Sequence, residues 1–349
     1  MKKANGYLSF YKGRKVFVTG HNGFKGSWMC KVLIDAGADV CGFSLPCTDF
    51  SPFMSMGLNK VRSIEGDVGN TEELADAVLK FKPEVVIHMA AQPLVLESYK
   101  DPVWTYRTNV MGTVNILEAV RKCKTVTSVV NVTTDKVYRN LERSEGYRED
   151  EVLDGHEPYS NSKSCSELVT ASYKRSFFDR IPVSTCRAGN VIGGGDRSKD
   201  RIISDCVRSA ERGEAIILRN PNSVRPYQHV LEPVCAYLLL AAEQAADPKL
   251  AGSYNIGPEE ESTVTTQKLA QLFCDNWKGA KWKAVSEIGR PHEAGILRLN
   301  CDKFKKTFKW KPRWNIEEAV RRTVEWYRAE IDGKDMSKFT AEQIKAYLG

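Results

Sequence analysis

The sequence predicts an α/β chain built on a doubly wound parallel sheet, followed by a smaller C-terminal α/β domain. Three observations predict it. Short apolar runs alternate with helical patterns through the first half of the chain. A glycine-rich turn follows the first of those runs. After Gly189 the alternation gives way to a mixture of helices and short strands.

Lys15–Thr19 (KVFVT) is short, apolar and β-branched, and reads as a buried strand. Gly23–Ala36 repeats Trp28, Met29, Val32 and Leu33 at helical spacing. Asp39–Phe43 and Arg62–Glu65 read as strands and Thr71–Phe81 as a helix. Glu84–His88 is the next strand, and Pro102–Cys123 reads as one long helix. Ser128–Thr133 (strand), Tyr159–Phe178 (helix) and Val183–Arg187 (strand) complete the series. Strands separated by helices pair in parallel, because a parallel connection needs a crossover. Right-handed crossovers then place helices on both faces. Further on, Asp200–Arg212 reads as a helix, Ile216–Leu218 as a strand, Asn220–Arg225 as a polar loop, Leu231–Gln244 as a helix and Ser253–Ile256 as a strand. The expected division is a first domain over 1–190, with 227–257 packing back onto its sheet. A second domain then takes 191–226 and 258–349. No internal repeat is present.

Composition narrows the function classes. Lys and Arg number 51 against 44 Asp and Glu, a net charge of +7. The excess is scattered, with no run of like charge and no basic–aromatic interleaving, so nucleic acid is not an expected partner. No apolar stretch approaches the roughly 20 residues that span a bilayer, so no membrane is expected either. Met1–Arg14 has no apolar core of a leader. The ten cysteines form no CxxC pair and several sit in apolar runs, the usage of a reduced compartment. A cytoplasmic address is the expectation. His21, His88, His156, His229 and His292 show no metal spacing, so no catalytic metal is expected; His88 reads as a core residue.

Two motifs carry the chemistry. Thr19-Gly20-His21-Asn22-Gly23-Phe24-Lys25-Gly26 links the first strand to the first helix. The first glycine allows the tight turn, the middle one admits a pyrophosphate, and the last lets helix and strand pack closely. The helix N-terminus offers free N–H groups to phosphate. Gly20, His21, Asn22, Gly23, Phe24 and Gly26 are therefore candidate dinucleotide contacts. No carboxylate closes the second strand, where one usually holds the adenosine ribose of NAD; the first acid is Asp49. No arginine stands there for a 2′-phosphate. NAD is the expected cofactor, with a loosely held adenosine end. The second motif is Pro158-Tyr159-Ser160-Asn161-Ser162-Lys163. Tyr159 and Lys163 lie one turn apart on one helix face. A nearby ammonium and a nicotinium charge both favour phenolate, so Tyr159 is expected to titrate towards neutrality and act as a general base.

TGHNGFKG, TNVMGT, Thr133–Tyr138 (TTDKVY), YSNSK, RAGNVIGGGD, RNPNSVRPYQHVLEP and RPHEA together resemble an extended short-chain dehydrogenase/reductase over nearly the whole chain. The resemblance is greatest to the nucleoside-diphosphate-hexose 4,6-dehydratases of the CDP-glucose type. It implies a Rossmann fold, a CDP-glucose substrate, NAD and a role in the deoxysugar biosynthesis of lipopolysaccharide O-antigen. It also implies a homodimer through the Pro102–Cys123 and Tyr159–Phe178 helices, with a tetramer as the larger alternative. Most of these dehydratases follow the Asp of this motif with Glu; here Thr134-Asp135-Lys136 stands instead, the CDP-glucose form.

By the resemblance, Tyr159 takes the C4 hydroxyl proton and Thr134 bonds the C4 oxygen. Asp135 is the acid for the departing C6 hydroxyl, and Lys136 the candidate base at C5. Lys163 binds the nicotinamide ribose. Asp67 and Val68 meet the adenine, Ala90, Ala91 and Gln92 line the nicotinamide side, and Asn109 supports the Lys163 end through water. Asn190, Arg201, Arg219, Arg225 and His292 are the candidates for sugar, diphosphate and base. The alternatives are an epimerase or reductase on the same scaffold, a dehydratase for another nucleoside-diphosphate hexose, and a non-catalytic dinucleotide sensor. A sensor has no use for Tyr159, Lys163 and Asp135 together.

Overall fold

The computed structural model describes residues 6–47, 51–285 and 297–349. Its strands are β1 (Lys15–Thr19), β2 (Asp39–Ser44), β3 (Arg62–Glu65), β4 (Val85–His88), β5 (Ser128–Val132), β6 (Val183–Ala188), β7 (Asn190–Ile192), β8 (Ile216–Leu218), β9 (Val224–His229), β10 (Ser253–Ile256), β11 (Thr263–Thr265) and β12 (Trp282–Ala284). The helices are α1 (Phe24–Asp35), α2 (Pro52–Ser55), α3 (Thr71–Phe81), α4 (Val95–Lys100), α5 (Pro102–Tyr106), α6 (Gly112–Lys122), α7 (Pro158–Phe177), α8 (Ile202–Glu211), α9 (Leu231–Ala246), α10 (Thr266–Asn276), α11 (Asp302–Phe308), α12 (Ile316–Ile331) and α13 (Met336–Leu348).

Seven strands form one parallel sheet in the order β10-β6-β5-β4-β1-β2-β3. The period-2 alternation of a strand decides which core each side chain joins. Val16 and Val18 of β1, Val85 and Ile87 of β4, and Val130 and Val132 of β5 face the core that also holds Trp28 and α9. Phe17, Val86 and Val129 point the other way, onto α3 and α6. Burying each such aliphatic side chain stabilises the fold by roughly 1.5–3 kcal/mol. The strand order reverses between β1 and β4. At such a switch point the crevice beyond the carboxyl ends of the strands takes the ligand.

β10 joins the sheet by parallel pairing with β6, and α9 packs against β5. A second sheet, β11-β9-β7, and the pair β12-β8 stand apart from the first. Glu232, fully buried at the start of α9, accepts hydrogen bonds from the Arg313 and Trp314 amides and the Tyr347 hydroxyl. That carboxylate ties the C-terminal segment to α9.

Two sequence expectations change. Pro102–Cys123 is not one regular helix: α5 and α6 are joined by a π-helical turn over Arg107–Met111. The reason lies at Asn109, whose side chain leaves the helix to bond the Gln92 main chain. Asn220–Arg225 is not all loop, because β9 begins at Val224 and buries Arg225 between β7 and β11. Among the described residues no helix is long and apolar enough to cross a membrane.

Candidate active site

The glycine loop lies where β1 meets the switch point. Gly20 adopts φ +71°. A Cβ there would lie 2.9 Å from the Ala90 amide nitrogen, so loop and β4 end touch main chain to main chain. A Cβ on Gly26 would fall 2.0 Å from the Gly20 carbonyl, which excludes any larger residue. Gly23 caps α1 and is exposed, with only ordinary contact for an added Cβ, so its face is open to a phosphate. Thr19 Oγ1 accepts from the Met89 and Ala90 amides at 3.1 Å and meets His88 Nδ1 at 2.7 Å. His88 is buried in the core.

The adenosine side departs from the common pattern in a definite way. β2 ends on Ser44, whose buried Oγ has no hydrogen-bond partner. The His21 ring lies over Gly42, only 2.1 Å from the place of a Cβ, and its Nε2 meets Ser63 Oγ at 2.7 Å. Burial lowers the His21 imidazole to about 4, so the ring is neutral. Asp67 Oδ1 accepts from the Gly69 amide at 2.8 Å and so makes its own turn. Val68 is buried against Gly112, where a Cβ would meet Val68 Cγ2 at 2.8 Å. Asp49 lies outside the described residues.

The second half of the site is built where β5 ends and α7 begins. Thr134 caps a short 3-10 turn over Asp135–Val137 and donates to Asp135 Oδ1 at 3.0 Å. Asp135 is 2% exposed, and its other carboxyl oxygen, Oδ2, has no partner. Burial raises its pKa against the pull of Lys136, Thr134 and Arg225. An orphaned acceptor of this kind is costly unless the group is protonated or meets a ligand.

α7 opens with Pro158 at its first turn and Glu157 capping the Ser160 amide. Tyr159 is buried beside Thr134, whose hydroxyl faces the phenol. Lys163 Nζ donates to the Val132 carbonyl at 3.1 Å. The protein's own groups do not lower the Tyr159 phenol; the expectation rests on the nicotinium charge as well. Burial pushes the phenol up to about 12, with Thr134 and Arg201 opposing. Burial, then Lys25, bring the Lys163 ammonium down to about 7.

Asn109 Oδ1 accepts from the Gln92 amide at 2.9 Å, and its Nδ2 donates to the Gln92 carbonyl and to Ser162 Oγ. It joins the strand-end segment holding Ala90 and Ala91 to α7, rather than touching Lys163 directly.

Of the arginine candidates, two reach the catalytic groups. Arg225 acts electrostatically on Asp135, and Arg201 on Tyr159 and Lys25. Arg201 Nη1 also lies 3.1 Å from Asp196 Oδ2. Arg219 lies 3.4 Å from Asp200 at a more exposed place. Asn190 opens β7, half-buried, opposite Tyr227. His292 lies outside the described residues. Lys136 and Arg225 line a cavity of about 550 Å³ with Tyr138, Glu157, Ser160 and Leu297.

Sequence reasoning missed a buried ion pair behind Lys163. Glu167 stands one turn further along α7, and Arg187 rises from β6. Arg187 Nη2 and Nε meet the two Glu167 oxygens at 2.9 and 3.0 Å. Thr133 and Thr185 donate to the same carboxylate at 2.5 and 2.7 Å. Tyr138 accepts from Arg187 at 2.8 Å. The signal was present: an arginine in the strand VSTCRA needs a buried partner, and Glu167 continues the Tyr159–Lys163 face.

A family model described as GDP-mannose 4,6 dehydratase matches residues 17–323. CDP-glucose 4,6-dehydratase of Salmonella typhimurium is 43% identical over 97% of this chain and 98% of its own. The solved dTDP-glucose 4,6-dehydratase of Bacillus anthracis, in complex with NAD, superposes with a TM-score of 0.76 at 22% identity, covering 93% of this chain and all of that one (100%). The UDP-glucose 4-epimerase of Thermus thermophilus, also in complex with NAD, gives a TM-score of 0.77 at 25% identity over 90% of this chain and 99% of that one. The fold is that of the extended short-chain dehydrogenase/reductases, and the chain belongs to their nucleotide-sugar 4,6-dehydratase family.

Proposed function

We propose that this chain converts CDP-D-glucose to CDP-4-keto-6-deoxy-D-glucose as an NAD-dependent hydro-lyase. The observation that carries the reading is Asp135. A buried carboxyl with a raised pKa and a free oxygen, beside Thr134 and Tyr159, is placed to give a proton to a leaving hydroxyl. Alcohol oxidation alone needs no such acid.

The glycine loop fits a dinucleotide, since its close approach to β4 and its open Gly23 face leave backbone N–H groups for a pyrophosphate. When bound, that cofactor supplies a hydride acceptor at C4 and a donor at C6. Tyr159 removes the C4 hydroxyl proton while Thr134 holds the C4 oxygen. The 4-keto group makes the C5 proton acidic, and Lys136 is the candidate to remove it. Asp135 protonates the departing C6 hydroxyl. Arg225 and Arg201 suit the diphosphate, because a guanidinium bonds two oxygens at once. Cytidine as the base is supported by the name of the Salmonella relative.

The test is incubation of the protein and NAD with CDP-, dTDP-, GDP- and UDP-glucose, followed by mass spectrometry. A product lighter by one water from CDP-glucose is expected. Turnover of dTDP- but not CDP-glucose overturns the substrate assignment, and a product of unchanged mass makes the protein an epimerase.

The assembly proposed is a homodimer through α5, α6 and α7. Val103, Trp104, Tyr106, Met111 and Leu168 are exposed on these elements, with Val103 at 78%. Exposed apolar side chains gathered on neighbouring elements support an interface there. Sedimentation should give twice the 39.2 kDa chain mass; a monomer at micromolar concentration sinks this assignment. The ten cysteines are free, which supports a reducing, cytoplasmic location; a place in O-antigen deoxysugar biosynthesis belongs to the same proposal.

A further inference from the structure

We propose that Tyr237 and Gln228 hold one buried water against the free carboxyl oxygen of Asp135, and that this water steadies the carboxylate left when Asp135 gives up its proton. This rests on the dehydratase reading above.

Asp135 Oδ2, Gln228 Oε1 and Tyr237 Oη are buried polar atoms with no hydrogen-bond partner among the described residues. Their residues are 2%, 1% and 0% exposed. They come from three elements and meet where β6 ends. A Cβ on Gly189, the residue after β6, would lie 3.4 Å from Asp135 Oδ2 and 3.1 Å from Pro226 Cγ. Gln228 follows Pro226 by two residues on β9, so both side chains share one face of that strand. Gln228 Nε2 donates to the Ile256 carbonyl at 3.1 Å, and Ile256 pairs with Ala188, the last residue of β6. The Gln228 amide therefore lies beside the same strand end as the Asp135 oxygen. Tyr237 arrives from α9, which packs against β5. Its phenol is felt by Cys186 of β6, by Tyr159 and by Asp135.

The chemistry of the three atoms fits one water. The bond to Ile256 fixes which end of the Gln228 amide is oxygen, and that oxygen only accepts. Asp135 Oδ2 accepts, and the Tyr237 hydroxyl donates. A water that takes the Tyr237 hydrogen and donates to the other two makes the usual three bonds of a buried water. The catalytic scheme above uses neither Tyr237 nor Gln228.

The role follows from the charge balance of the elimination. The C5 proton passes to the base, and its bonding pair forms the C5–C6 double bond as the C6–O bond breaks. The departing oxygen takes the Asp135 proton and leaves as water. Asp135 is then an ionised carboxylate in a fully buried place. Thr134 donates to Oδ1 at 3.0 Å, but no described protein group donates to Oδ2. The held water supplies that donor in advance. Its bond to Oδ2 strengthens as charge develops, so it favours the transition state over the ground state. Tyr237 is a positioning residue, because it acts on Asp135 through the water.

The experiment compares Tyr237→Phe with wild type in a single turnover of CDP-glucose and NAD, read by the absorbance of reduced nicotinamide. Reduced nicotinamide should form at the wild-type rate. Its decay should slow by about tenfold to a hundredfold, the share of one hydrogen bond to a charged group. Gln228→Met should slow the same phase. A crystal structure of the wild-type protein should show a water bonded to all three atoms, and Tyr237→Phe should lose it. Unchanged decay overturns the proposal, and so does equal slowing of formation and decay. A wild-type crystal structure without that water overturns it as well. If the wild-type protein dehydrates no nucleotide sugar, the dehydratase reading fails instead, and the crystallographic water alone then decides whether the site exists.

Discussion

Tyr159→Phe should lower turnover by about three orders of magnitude while nucleotide binding stays near wild type. The substitution removes one hydroxyl from a buried ring and leaves the packing of α7 intact. What is lost is the atom proposed to take the C4 proton, which Thr134 meets within the site. Two neighbours should fail differently. Asp135→Asn keeps the shape of the acid but cannot protonate a leaving hydroxyl. It should still oxidise C4, so reduced nicotinamide and a 4-keto hexose that retains its C6 hydroxyl should accumulate. Lys136→Ala should oxidise C4 but stop exchanging the C5 hydrogen with deuterated solvent. Near-normal exchange in that variant removes the base role from Lys136. Activity within tenfold of wild type in Tyr159→Phe removes the phenol from the mechanism.

The parts legible in sequence were those with a strong local cause. KVFVT is apolar on both faces, and a strand buried on both faces needs that. Glycine at 20 and 26 is forced by backbone contact, so the loop announced itself. Tyr159 and Lys163 share a helix face by spacing alone. What the sequence hid depended on distant groups. The π-helical turn at Asn109 exists because Gln92, 17 residues away, offers its main chain. Arg225 looked like a loop residue, yet β7 and β11 meet it from either side in sequence and make its segment a strand. The pKa of Tyr159 could not be read from spacing because burial, set by the packing around α7, pushes the phenol up and Lys163 down.

The ion pair behind Lys163 shows how far the site reaches into the fold. Glu167 and Arg187 are 3% and 2% exposed, and they join α7 to β6 one turn beyond Lys163. Removing one partner strands the other charge in the core. Glu167→Met should therefore cost about 3–5 kcal/mol of stability, measured by equilibrium urea unfolding. Glu167→Met combined with Arg187→Met should recover a large part of that loss, because a buried pair replaced by apolar groups is often neutral. Recovery should stay incomplete. Thr133 and Thr185 both donate to the Glu167 carboxylate, and Thr185 would keep only Ser253 while Thr133 would keep only the Cys186 carbonyl. The double variant should also show an altered pH–activity profile, since Glu167 is the group that raises the Lys163 pKa. Without it Lys163 discharges at lower pH, and the limb of the profile governed by Lys163 should move in the acid direction. A single Glu167→Met variant within 1 kcal/mol of wild type, or a double variant with an unmoved profile, would show that this pair neither anchors α7 nor sets the charge of Lys163.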